Sequence, residues 1–289
     1  MKLRKNSMAV PRHRFSLNLA VFVLILGGYS LFSEVKATEG PEVDSFWDVK
    51  DDSSSEELDH TVWNNLLTQF VDDEHDSGVN RFDYGALKAS SDHLNQLRNY
   101  VLGLAEMDPR TLTKDVQMAY WINLYNALTV WVVTSDYPVE SIRDINSSVF
   151  RPGPWKRKLL TIAEKSITLD NIEHNILRPI WKDPRIHYAV NCASIGCPNL
   201  IKQAFRADNL EELLDKGARE YINHSRAARV EDGKLIVSSI YEWFQVDFGG
   251  SEHGVIEHLR TYAEADLLSK LEQFDEYDND DYNWKLNAP

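Results

Sequence analysis

A chain of 289 residues with 43% hydrophobic side chains, eight of them tryptophan, has the material for a sizeable buried core, and such a composition excludes disorder of the whole. Its formal charge of −14, with no basic stripe to offset it, excludes duplex nucleic acid and anionic membrane surfaces as partners. A neutral or cationic small molecule or peptide is the substrate class this charge favours, and no repeat of about 20–50 residues points to a solenoid.

The chain opens with Lys2, Arg4, Lys5, Arg12 and Arg14, followed by the apolar run Leu17 to Leu26, Gly27-Gly28 and Val35-Lys36-Ala37. That order is the pattern of an export signal at residues 1–37, cut after Ala37, which would make the protein periplasmic or secreted. The alternative is an uncleaved anchor, because Phe15 to Phe32 nearly suffices to cross a bilayer of about 30 Å, and only then would the membrane be a partner. Residues 38–58 are acidic and small and read as a flexible spacer, leaving 59–289 as one domain.

Within that domain, Val62, Trp63, Leu66, Leu67, Phe70 and Val71 fall at helical spacing, with Asp59 as the cap. A second helix is expected over Leu87 to Met107. From Thr113 a third runs through Gln117-Met-Ala-Tyr-Trp-Ile-Asn-Leu-Tyr-Asn-Ala-Leu, apolar on every side and therefore the central buried helix. Asn123 and Asn126 interrupt it on one face. Each must either tie down a loop or line a pocket as a polariser, since a buried amide without partners costs about 1–3 kcal/mol.

Arg151 to Lys158 reads as a basic turn, and Lys158 to Ile167 as two short strands. Leu169-Asp-Asn-Ile-Glu-His-Asn-Ile-Leu-Arg-Pro is expected to be a helix closed by Pro179, with Glu173 and His174 at the edge of a cleft. Arg185-Ile-His-Tyr-Ala-Val, crowded with β-branched and aromatic residues, is expected as a strand. Asp208 should cap a helix reaching Asn223, Asp232-Gly233 signals a hairpin, a helix should cover Val255 to Leu271, and the tail through Tyr282, Trp284 and Leu286 ends in a strand. Mixed rather than alternating elements favour an α+β fold, with helices packed on a small, mostly antiparallel sheet.

The chemistry concentrates in His187-Tyr-Ala-Val-Asn-Cys-Ala-Ser-Ile-Gly-Cys-Pro-Asn-Leu, which holds the chain's two cysteines, Cys192 and Cys197. In an exported protein this pair can be a structural disulfide holding a non-catalytic binding or scaffold module of the cell envelope. Alternatively Cys192 is a nucleophile, His187 or His174 its base and Glu173 the orienting carboxylate, with Asn123 or Asn126 polarising the substrate. That reading makes the protein a thiol-dependent hydrolase or an acyl or amide transferase. Metal binding by Glu173, His174, His187 and the thiols has the right ligand types but no supporting spacing, and no cofactor motif is present.

With Ala119-Tyr-Trp-Ile-Asn-Leu-Tyr-Asn-Ala-Leu, Leu169-Asp-Asn-Ile-Glu-His-Asn-Ile-Leu-Arg-Pro, His187-Tyr-Ala-Val-Asn-Cys-Ala-Ser and Ser239-Ile-Tyr-Glu-Trp-Phe-Gln-Val-Asp-Phe in order, the chain resembles Domain of Unknown Function family 547 from about Leu58 to Asn287. The resemblance implies no established reaction. It marks Trp121, Asn123, Tyr125, Asn126, Glu173, His174, Arg178, His187, Cys192, Ser194 and Pro198 as the family's recurrent positions. A long helix followed by a histidine-bearing strand is also distantly similar to papain-like and transglutaminase-like thiol enzymes. Those carry a cysteine at the start of the helix, where Gln117 to Tyr120 offer none.

Overall fold

A computed structural model describes residues 42–145 and 153–289; the expected export signal, and Arg151 and Pro152 of the basic turn, lie outside the described residues. Helix α1 (Thr61–Phe70), the short pair β1 (Val71–Asp72) and β2 (Arg81–Phe82), α2 (Tyr84–Ala89) and α3 (Ser91–Ala105) surround α4 (Lys114–Asp136). The expected single helix over Leu87 to Met107 is divided in two, because Ser90 turns extended and its hydroxyl accepts from the His93 amide as a fresh N-cap. Helix α4 is buried on nearly every side from Val116 to Thr134, as an apolar circumference requires. Residues expected to belong to the acidic spacer pack on it: Trp47 is buried edge-on to Trp121 at 5.1 Å, and the Gln117 side chain donates to the Val49 carbonyl at 2.8 Å.

The architecture is α+β, but among the described residues the strands form three small sheets rather than one. Strands β3 (Leu160–Ile162) and β4 (Lys165–Ile167) make the expected hairpin. Strands β5 (Ala228–Glu231) and β6 (Lys234–Ser238) pair through Asp232-Gly233, both at positive φ as a tight primed turn demands. The tail adds β7 (Asn279–Asp281) parallel to β6, earlier in the chain than the expected strand; farther on, Leu286 bridges to Ser194.

Two expected elements take a different form. Asn171–Leu177 is a π-helix whose wide register is closed by the Arg178 amide bonding to the Glu173 carbonyl, and helix α5 (Arg178–Trp181) carries it past Pro179. The segment read as a strand is helix α6 (Ile186–Ala189). Asp183-Pro184 starts that turn: the Asp183 carboxylate accepts from the Arg185 amide, and the Asp183 and Pro184 carbonyls accept from Ile186 and His187. Among the described residues no strand pairs with it, so its β-favouring side chains are spent on core contacts instead.

Helix α7 (Leu210–Ile222) is preceded by Asn209 rather than capped by Asp208, whose carboxylate pairs with Arg206. After α8 (Ser239–Trp243) the expected last helix appears as α9 (Glu252–Tyr262) and α10 (Ala265–Leu271), parted at Ala263 and Glu264. Two apolar cores result, one around α4 and one joining α7, β5, β6, α8 and α9. The segment that holds both cysteines runs beside their junction.

Candidate functional site

A cleft of about 580 Å³ opens there, lined by Glu173, His174, His187, Cys192 and Cys197 together with an aromatic wall that includes Trp155, Trp243 and Trp284. Four of the six residues expected to act, Glu173, His174, His187 and Cys192, thus meet in one place. Asn123 and Asn126 do not line it. Each uses its amide to hold a distant loop by backbone: Asn123 takes both the amide and the carbonyl of Phe205, at 3.0 and 2.7 Å, and Asn126 takes the Asn191 amide at 2.8 Å and the Ala189 carbonyl at 2.9 Å.

The Asn126 bond fixes where α6 ends and the cysteine turn begins. Asn191 then closes the turn on itself, accepting from the Ala193 amide at 2.8 Å and donating to the Pro198 carbonyl at 2.7 Å. This holds Ala193 at φ 61°, a conformation that costs a non-glycine residue about 1–2 kcal/mol and persists only because its surroundings over-determine it. Gly196 is required for another reason. A Cβ there would lie 2.9 Å from the Asn283 amide nitrogen, so glycine lets the tail cross the turn and bond to it at 2.8 Å.

That crossing delivers Tyr282, whose hydroxyl lies 3.1 Å from the Cys192 sulfur and 2.8 Å from the Ser194 hydroxyl. Cys192 also meets Ser194 Oγ at 3.3 Å and receives the Cys197 thiol at 2.9 Å. The bond from Cys197, ahead of those from Ser194 and Tyr282, holds the Cys192 thiol below its usual pKa against the opposing effect of burial. Burial, followed by that same bond, pushes the Cys197 thiol up. Of the two sulfurs Cys192 is thereby the more acidic, and Cys197 donates to it. Both cysteines are free, so the expected structural disulfide is absent from this state.

The Tyr282 hydroxyl, itself kept protonated by burial, makes a direct test of this assignment. Tyr282→Phe removes one donor from the sulfur without removing the ring that packs on Trp243 and Trp284. The Cys192 thiol pKa should rise, read from the pH dependence of its alkylation by iodoacetamide. An unchanged profile would mean that the hydroxyl does not act on the sulfur.

His187 does not bond to Cys192. Its Nε2 meets Asp247 Oδ2 at 2.6 Å, its ring stacks on Phe244 with centroids 4.6 Å apart, and the same Asp247 oxygen accepts from Arg178 Nε at 2.5 Å. Burial works to raise the pKa of Asp247, but the bonds from His187 and Arg178 outweigh it and bring the carboxyl down to about 2. Burial drives the His187 pKa down against the pull of Asp247, so the ring is neutral. An ionised carboxylate at Nε2 places the proton there and leaves the lone pair on Nδ1.

His174 accepts from Arg178 Nη1 at Nδ1, 3.1 Å away, which puts its proton on Nε2. Glu173 Oε1 stands 3.9 Å from His174 Nδ1, and Tyr125 lines the cleft beside it. Asp247 and Tyr282 were not among the expected site residues. They come from segments 60 and 90 residues from their partners His187 and Cys192. The signal for Asp247 is faint but present: an acid closing the aromatic run Trp243-Phe244-Gln-Val-Asp-Phe248. Tyr282 opens the closing run Tyr-Asn-Trp-Lys-Leu-Asn, which resembles the family's end signature but does not point to the cysteines. Among the described residues no group of three or more His, Cys, Asp or Glu is arranged to hold a metal ion, and no helix is long and apolar enough to cross a membrane.

Residues 109–222, less than half the chain, match the model of a family described as "Protein of unknown function, DUF547". This segment carries the DUF547 signature. It takes in α4, the π-helix, α6, the cysteine turn and α7, and so nearly everything that positions Glu173, His174, His187 and Cys192. Asp247 and Tyr282 lie beyond the DUF547 match. No curated protein and no solved structure matches the chain.

Proposed function

We propose that the protein is a thiol-dependent enzyme in which Cys192 attacks an acyl or amide carbonyl of a small-molecule or peptide substrate. The observation that carries this reading is the pairing of an acidified thiol, in contact with Cys197, Ser194 and Tyr282, with a neutral histidine on a carboxylate in the same cleft. The bonds to Cys192 that lower its pKa make its thiolate, the attacking form, easier to reach. The thiolate adds to the carbonyl carbon, the amine or alcohol leaves with a proton from solvent, and a thioester to Cys192 remains. His187 Nδ1 then takes a proton from water or an acceptor amine, which attacks the thioester and frees the sulfur. Asp247 keeps the imidazole in the required tautomer, and Arg178 keeps Asp247 ionised.

The export pattern at residues 1–37 supports a periplasmic or secreted site of action, and the acidic body supports a neutral or cationic substrate.

Iodoacetamide near pH 6 should label Cys192 and spare Cys197, and a panel of activated esters and aryl amides should show turnover. Cys192→Ser is expected to remove labelling and to lower turnover by on the order of 10³-fold or more, with the circular dichroism spectrum intact. Turnover that survives in the folded variant would take Cys192 out of the mechanism. A Cys192 no more reactive than an ordinary thiol would leave a binding module as the better description.

A further inference from the structure

The two sulfurs stand 2.9 Å apart in the lining of the cleft, Cys192 partly exposed and Cys197 buried. A disulfide bond of about 2.05 Å needs them to approach by less than 1 Å. The turn between them already folds back: the Cys197 amide bonds to the Ser194 carbonyl at 3.1 Å, and the Cys192 amide points at the Cys197 sulfur at 2.9 Å. The pair is asymmetric in the way that oxidation requires: Cys192 is partly exposed and the more acidic sulfur, Cys197 buried and the less acidic one.

We propose that Cys192 and Cys197 are a reversible oxidation site, in which a peroxide or a low-molecular-weight disulfide converts the thiol pair into an intramolecular disulfide that closes the cleft to catalysis. With a peroxide, the Cys192 thiolate displaces one oxygen, the O–O bond breaks, and the sulfur becomes a sulfenic acid while the peroxide is reduced to an alcohol or water. The Cys197 sulfur then attacks that sulfur, the S–O bond breaks, and the thiol proton leaves with the hydroxyl as water. With a low-molecular-weight disulfide, Cys192 forms the mixed disulfide and Cys197 expels the second thiol. A dithiol reductant reverses either route. Loss of activity rests on the reading of Cys192 as nucleophile; formation of the bond does not.

Several features favour this over irreversible damage. Cys197 Sγ is the closest sulfur to any oxidised Cys192 and needs no segment to unfold. Asn191 and Asn126 hold the two ends of the turn, so the sulfurs meet again after each reduction. An exported protein would also meet an oxidising surrounding, in which an exposed thiolate with no resolving partner is lost to higher oxides.

The full-length protein, treated with a small excess of hydrogen peroxide or with oxidised glutathione, should lose 2 Da of intact mass and both alkylatable thiols. Dithiothreitol should restore them. In Cys197→Ser the same peroxide should add 16 or 32 Da at Cys192 instead, because no resolving sulfur remains. Wild-type protein that gains oxygen at Cys192, or keeps two alkylatable thiols, would overturn the proposal. If the disulfide forms and turnover persists, the switch stands as chemistry and the assignment of Cys192 as nucleophile falls.

Discussion

Between pH 6.5 and 5 the protein should lose stability steadily as acid is added, even though it is strongly acidic and gains relief from self-repulsion at lower pH. The cause is a set of histidines that the fold keeps neutral. His60 is buried against Tyr100, with Nδ1 2.7 Å from the tyrosine hydroxyl, and burial lowers its pKa from 6.5 to about 4 despite the neighbouring Asp59. His258, 2.8 Å from the Tyr188 hydroxyl, is lowered to about 4, first by burial and then by His187. His187 is lowered in the same direction.

In each case the folded pKa lies below the unfolded one, so the unfolded chain binds a proton that the native state refuses. The stabilisation is complete above about pH 6.5 and disappears as the pH falls toward 4, by on the order of 2–3 kcal/mol for each of His60 and His258. Against a total of about 5–15 kcal/mol for an ordinary domain, that is a large share. Most carboxylates protonate only near pH 4, so the upper part of the window isolates the histidines. Asp247 works in a separate, lower window: its stabilisation is present above its ordinary 3.8 and is lost as the pH falls through about 2. Urea midpoints measured at half-unit steps should fall from pH 6.5 to 5. His60→Gln, which keeps a polar partner for Tyr100 and removes the titrating ring, should shallow that slope by about one proton. A flat profile in the wild-type protein would show that these rings are protonated in the fold.

The same histidines show how unevenly the sequence reveals this molecule. Some segments carry their own pattern and are read correctly from it: the apolar circumference of α4 foretold its burial, and Asp232-Gly233 foretold the β5–β6 hairpin. Failures come where a neighbour decides. Residues 185–190 have strand-like side chains, yet strand propensity records packing against partner strands, and none lies beside them; the Asp183-Pro184 turn winds them into α6 instead. The π register of 171–177 cannot be told from an α-helix by apolar spacing over so few residues. At the site, Cys192, His187, Glu173 and His174 were legible because their motifs are local. Asp247 and Tyr282 reach it through tertiary contacts, and the expected dependence of Cys192 on a histidine gave way to a cluster of thiol and hydroxyl donors.

Removing the Asn126 amide should be the most damaging single change near the site. Asn126 lies in α4, where a leucine would suit both the helix and its apolar surroundings, so helix propensity and hydrophobicity alone would forecast a gain from Asn126→Leu. The opposite is expected. Asn126 is 3% exposed and supplies the hydrogen bonds of the Asn191 amide and the Ala189 carbonyl, in a stretch with no strand beside it to replace them. Each orphaned group carries a desolvation penalty of about 1–3 kcal/mol, so the substitution should cost roughly 2–6 kcal/mol in urea unfolding. The damage should also reach the cleft. Asn191 anchors the turn that keeps Ala193 in its unfavourable conformation and sets Cys192 against Cys197, so a freed Asn191 lets the sulfurs part. The Cys192 thiol should then lose its strongest donor and titrate nearer its ordinary range. Asn126→Asp, which keeps the acceptor for the Asn191 amide and loses the donor to Ala189, separates the two effects: it should be destabilised, while its folded fraction keeps a reactive Cys192. If Asn126→Leu were as stable as the wild type, with the same alkylation profile, the clamp would be incidental and the shape of the cysteine turn would have to come from the tail that crosses it.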